Sequence, residues 1–125
     1  MDIPVKTYLD YALKLQDNEK IFIESFSQWL PDTVIDCHVH AGPPESVRDI
    51  DDEMYQSMVT TFPWFTTKQH RMVTDLFYPS KRVILLPFAM PYRGIDFRSS
   101  NQRLLEWANA DQDIKPILYG IPDDI

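Results

Sequence analysis

The feature that most constrains the fold is an alternation of short apolar runs with segments whose apolar residues recur at helical spacing. Strands are predicted from Thr33 to His40, from Arg82 to Met90 and from Ile117 to Ile121. A helical pattern separates each pair of strands, and right-handed crossovers join parallel strands in this order. The sequence therefore predicts an α/β fold with three parallel strands, in which Pro87 implies a bulge or an end to the pairing.

The helices between these strands have recognisable starts. Thr66–Gln69 fits a capping box, in which a threonine and a glutamine side chain each bind the other residue's backbone N–H. Ser99–Gln102 repeats this pattern before the second helix, and Tyr78–Pro79 is predicted to end the first. The apolar stripes are Met72, Val73, Leu76 and Phe77 in the first helix and Leu104, Leu105, Trp107 and Ala108 in the second.

Residues 1–31 are predicted to form a helical N-terminal segment, separate from residues 32–125, which contain the strands. A helix is expected to start at Asp17 or Asn18 and to stop before Pro31. A further helix is predicted after the acidic residues 49–53. We interpret that run as a solvated helix start, because it lacks the glycine and the spaced oxygen donors of a calcium-binding loop.

The composition argues against several classes of partner. The chain has 125 residues, of which 44% are hydrophobic, enough for the core of one domain. Its 12 basic and 19 acidic residues give a net charge of −7, without a basic cluster for nucleic acid. No apolar run is long enough to cross a bilayer, and the N-terminus lacks a signal-peptide pattern. We expect a cytoplasmic protein that binds neither nucleic acid nor membranes.

Two histidines, His38 and His40, close the first predicted strand. Side chains of a strand alternate between its faces, so these two are expected to share a face with Asp36. Two neutral imidazoles side by side can donate nitrogen lone pairs to one divalent cation, and zinc is the expected metal. The competing interpretation is a pair of core histidines hydrogen-bonded to backbone carbonyls. It is the weaker one for a complete enzyme and about equal to metal binding for this chain alone.

The neighbours of the two histidines have more ordinary interpretations. Asp36 is expected to orient the site through a hydrogen bond, with direct metal ligation as the less favoured role. Cys37 is the sole cysteine, so an internal disulfide is excluded. It is expected to lie buried and inert on the opposite face of the strand.

The segment Ile35–Gly42, at the end of a first strand, resembles the opening of the amidohydrolase superfamily, the metal-dependent hydrolases built on a TIM barrel. The resemblance implies that His38 and His40 bind the metal. It also implies that the chain holds the first three β/α units of a TIM-like (β/α)8 barrel, preceded by the helical segment and incomplete. His70 would lie on a crossover helix outside that barrel. The remaining family ligands would lie on later strands, so we expect little or no activity from this chain alone.

The reaction implied by the resemblance is hydrolysis of an amide, lactone or ester of a small molecule by a metal-activated water. Metal-dependent decarboxylation is the alternative within the same superfamily. Arg93 follows the second strand, at the rim where such barrels place their active sites, and is a candidate for binding a substrate carboxylate through a bidentate pair. An ordinary surface arginine is the better interpretation of Arg93 and also of Arg48. The aromatic residues 62–65 are expected to pack against helices.

Two other classes of function stay open. The chain fits a non-catalytic remnant or an interaction module that associates with itself or with a partner. It also fits a phosphoesterase, because PHP-type and TatD-type enzymes likewise begin with an HxH strand. Measuring zinc stoichiometry and the oligomeric state separates metal binding from self-association.

Overall fold

The computed structural model describes Lys20 and residues 23–41, 66–89 and 95–120. Residues 23–27 are helical and precede strand β1 (Thr33–His40), helix α1 (Thr67–Phe77), strand β2 (Arg82–Phe88) and helix α2 (Phe97–Ala110). Within these ranges, no helix is both long enough and apolar enough to cross a membrane. The predictions for residues 1–19, 49–53 and 62–65, and for Arg48 and Arg93, lie outside the described residues.

The two strands pair in parallel, and α1 lies in the connection between them. Thr33 lies opposite Arg82 at one end of the pair, and His40 lies opposite Phe88 at the other. The buried face of the sheet carries Val39, Val83 and Leu85, against which Tyr78 packs after the end of α1. Their close packing against one another holds the two strands and the end of α1 together.

A bulge in β1 changes which residues share a face. Asp36 lies opposite Leu85, and Val39 lies opposite Pro87. Over this interval β1 therefore contains one residue more than β2. Directly paired residues of parallel strands point to the same side. Asp36 therefore shares the face of Leu85, while His40 shares the opposite face with Phe88. The prediction that Asp36 shares a face with the two histidines is wrong, because it assumes an unbroken alternation.

The capping box predicted for α1 is confirmed. The Thr66 hydroxyl accepts the N–H of Gln69 at 3.3 Å, and the Gln69 side-chain oxygen accepts the N–H of Thr66 at 2.8 Å. For α2 the predicted Ser99 cap is wrong. The carboxylate of Asp96 accepts the N–H of Ser99 at 3.0 Å, so the helix begins at Phe97. Aspartate is among the strongest N-cap residues, and here it caps the helix ahead of the serine.

The third predicted strand is also wrong. Residues 113–117 run alongside β2, where Leu85 donates to the Asp113 carbonyl at 2.8 Å and its own carbonyl accepts the N–H of Lys115 at 2.8 Å. Pro87 accepts the N–H of Ile117 at 2.9 Å, yet a proline has no N–H to donate in return. The ladder therefore stops at a single bridge between Leu85 and Ile114, and residues 115–120 form no strand.

The predicted fold class is corrected accordingly. The described residues form a mixed α/β arrangement with a two-stranded parallel sheet, rather than three β/α units of a TIM-like barrel. The alternation of strand and helix patterns predicts the order of the elements correctly as far as α2. The prediction fails at the third strand, because a proline at a ladder position removes the donor that a third strand needs.

Candidate metal site

The imidazole rings of His38 and His40 lie side by side at the carboxyl end of β1, with their Nε2 atoms 3.2 Å apart. Two nitrogens each about 2.05 Å from a zinc ion, at the tetrahedral angle, would be separated by about 3.3 Å. The observed distance thus agrees with the spacing of two ligands of one ion. His38 is exposed, which leaves this edge of the site accessible from solvent.

The ring of Phe88, at the end of β2, lies near both imidazoles. Its centroid lies 4.4 Å from that of His40, at an interplanar angle of 60°, and 5.8 Å from that of His38. The contact with His40 is edge-to-face, an arrangement that is favourable for aromatic rings. Phe88 reaches both histidines because it is the direct partner of His40 in the sheet. Nothing in the sequence distinguishes Phe88 from an ordinary apolar strand residue, so its contact with both histidines is not predicted.

His40 is suited to donate a lone pair at neutral pH. Burial of the ring is the main cause that lowers the pKa of His40 below its ordinary value, and the neighbouring His38 and His70 lower it further. A neutral imidazole is the form that binds metals. The Nδ1 atom of His40 is buried and makes no hydrogen bond.

His70 lies directly behind the site. Its Nε2 donates to the backbone carbonyl of His40 at 2.8 Å, which ties α1 to the end of β1. Burial lowers the pKa of His70, against the opposing effects of that hydrogen bond and of the Asp36 charge. The resemblance implies that His70 lies away from the metal residues. In the structure, its side chain contacts the backbone of His40, one of those residues. Its Nε2 points a hydrogen at a carbonyl and so presents no lone pair there.

Asp36 and Cys37 also differ from the simple strand pattern. The Asp36 carboxylate accepts the backbone N–H of His38 at 3.2 Å, so it holds the chain at the bulge. Cys37 is exposed, which corrects the expectation of a buried thiol. The bulge explains both observations, because it breaks the alternation on which those expectations rested.

Within the described ranges, no group of three or more histidine, cysteine, aspartate or glutamate side chains is arranged to hold a metal ion. The site there consists of two imidazole donors. Two donors leave further coordination positions for water, substrate or another ligand, whereas catalytic zinc usually has three protein ligands.

No family model matches the chain, and searches of curated proteins and of solved structures return no significant match. The similarity of residues 35–42 to the amidohydrolases stays a prediction from those residues.

Proposed function

We propose that His38 and His40 bind a divalent metal ion, zinc by ligand preference, and that this pair is the metal-holding part of a hydrolase acting on small-molecule amides, lactones or esters. The observation that supports the metal site is the 3.2 Å separation of the two Nε2 atoms. Imidazole nitrogen is a common zinc ligand. The hydrolase class is supported by the resemblance of residues 35–42 to the amidohydrolases.

Each residue near the pair has a separate role in this proposal. His38 and His40 hold the ion, which when bound would supply a water of lowered pKa and polarise a carbonyl group. Phe88 lies against both rings and so favours the orientations in which they lie together. The Asp36 carboxylate accepts a hydrogen bond from the backbone N–H of His38, and the His70 ring donates one to the carbonyl of His40. These contacts reduce the entropy that the histidines would lose on binding an ion.

The number of donors sets the expected strength of the site. Two imidazoles bind zinc more weakly than the three protein ligands typical of catalytic sites. We therefore expect zinc binding in the micromolar range and only weak turnover.

Turnover of three carbonyl substrates by the zinc-loaded chain tests the hydrolase proposal. Suitable substrates are p-nitrophenyl acetate, an N-acyl anilide and an aryl lactone. We expect weak hydrolysis of at least one that requires zinc and is lost in His38→Ala and in His40→Ala. Cys37→Ser is the matched control, because it changes the adjacent exposed residue without removing an imidazole. Hydrolysis that needs no zinc, or that is as fast in both histidine variants as in the unaltered chain, would contradict the hydrolase class.

A second candidate function follows from the same distance. A separation of 3.2 Å also fits a hydrogen bond in which one neutral imidazole donates its Nε2–H to the other. The pair would then be a structural feature of a non-catalytic interaction module. Adding zinc while recording the NMR signals of the ring protons separates the two, since only a metal site shifts the signals of both histidines together.

A further inference from the structure

The histidine pair offers only half of a tetrahedral coordination sphere. Within the described residues, no third metal-binding side chain joins His38 and His40. A chelating pair of this kind forms two complexes with zinc, one with a single pair and one in which two pairs fill all four positions. The second complex forms when the chain is in excess over the metal.

We propose that two copies of this chain share one zinc ion, each contributing His38 and His40, and that this dimer forms when zinc is limiting. The proposal rests on the proposed metal site and adds a regulatory consequence. Four imidazoles around zinc leave no position for water or substrate, so the shared ion would be in a closed, non-catalytic form. Excess zinc would convert the dimer into chains that each hold their own ion.

Among the described residues, the surroundings of the pair include exposed surface that a second copy can contact. His38 is exposed at the end of β1, a strand whose one partner in the described sheet is β2. Ile35 pairs with Ile84, and His40 pairs with Phe88. Ile84 and Phe88 are four residues apart in β2 and so point to the same face, which places Ile35 on the face of the histidines. The Ile35 side chain is 60% exposed, so it offers apolar surface next to the imidazoles.

The charge of the chain explains why the association would need the metal. Each copy carries a formal net charge of −7, and two such copies repel each other. A divalent cation between the two copies offsets part of this repulsion and forms coordinate bonds to the histidines of both. We therefore expect a monomer in the absence of zinc.

Mass measurement by light scattering during a zinc titration tests the proposal, with bound zinc counted in the same samples. At half an equivalent of zinc we expect the mass to double from 14.7 kDa. With a large excess of zinc, the mass should return to that of the monomer with one ion per chain. His38→Ala should abolish the dimer and weaken zinc binding, and circular dichroism of this variant verifies that it folds.

A surface variant separates the dimer from the metal site itself. Ile35→Lys places a positive charge at the contact and should abolish the dimer while one zinc still binds per chain. Ile117→Lys is the matched control, because Ile117 is 47% exposed and lies in the segment beside β2, at its opposite edge from β1. One zinc per monomer at every ratio would overturn the shared site and leave the proposed function standing. No bound zinc at any ratio would overturn both.

Discussion

The Nε2 atom of His70 donates to the backbone carbonyl of His40 at 2.8 Å, across 30 residues of sequence. This hydrogen bond is a direct polar link between α1 and the end of β1 where the histidine pair lies. It makes the position of the pair depend on the packing of a helix that the sequence assigned to a different part of the fold.

Removing this link should destabilise the chain. His70→Ala leaves the His40 carbonyl without its donor, and we expect a loss of about 1–3 kcal/mol in the free energy of unfolding. His70→Gln retains an N–H of similar reach and should lose less. Urea denaturation of the three proteins measures both effects. Equal losses in the two variants would show that the ring packing, and not the hydrogen bond, supplies the stability.

The stability of the metal-free chain should fall as the pH is lowered from 7 to 5. Burial lowers the pKa of both His40 and His70 in the folded state, so the unfolded chain takes up protons first as the pH falls through about 6.5. Protonation of the unfolded chain draws the equilibrium towards it. His70→Gln should reduce this dependence, since it removes one of the two groups. Denaturation midpoints that stay constant from pH 7 to pH 5 would contradict the burial of these rings.

The pair formed by Arg82 and Asp113 should affect stability at lower pH. The Arg82 guanidinium donates to both carboxylate oxygens of Asp113, and these hydrogen bonds lower the pKa of that carboxyl group. The stabilisation is present above about pH 3.9, the ordinary value, and is lost as the pH falls through the lower value of the folded state. Asp113→Asn should flatten the stability curve in this acidic range. A curve of unchanged shape would mean that the ion pair is absent in solution.

The start of α2 gives a direct comparison between two caps. Asp96→Ala removes the carboxylate that accepts the N–H of Ser99, and we expect a loss of about 1 kcal/mol in the free energy of unfolding. Ser99→Ala should change stability by less than about 0.5 kcal/mol, because Ser99 is exposed and does not act as the cap. A larger loss for Ser99→Ala than for Asp96→Ala would instead support Ser99 as the N-cap residue, as the sequence predicts.

Local patterns predicted the elements that depend on nearby residues. The capping box at Thr66 and Gln69 lies within four residues of sequence, and the structure contains it. The adjacency of His38 and His40 also follows from a spacing of two within a strand, and their rings do lie together. Neither prediction requires knowledge of a distant contact.

Features that depend on pairing across the sheet were not predicted correctly. The bulge between Asp36 and Val39 exists because β1 and β2 fall out of step there, and it moves Asp36 to the face opposite His40. The third strand is missing because Pro87 has no N–H to donate to the segment that runs beside β2. The position of His70 depends on where α1 lies relative to the end of β1. Each of these is a relation between segments that the order of residues alone does not determine.

A zinc titration by isothermal calorimetry tests the metal site most directly. The metal-free chain at pH 7.5 should bind zinc with micromolar affinity, at one ion per chain in excess zinc. His38→Ala and His40→Ala should each weaken binding at least about tenfold, equivalent to ~1.4 kcal/mol, whereas Cys37→Ser should bind like the unaltered chain. Zinc binding of equal strength in all four proteins, or in none of them, would contradict the assignment of His38 and His40 as the ligands.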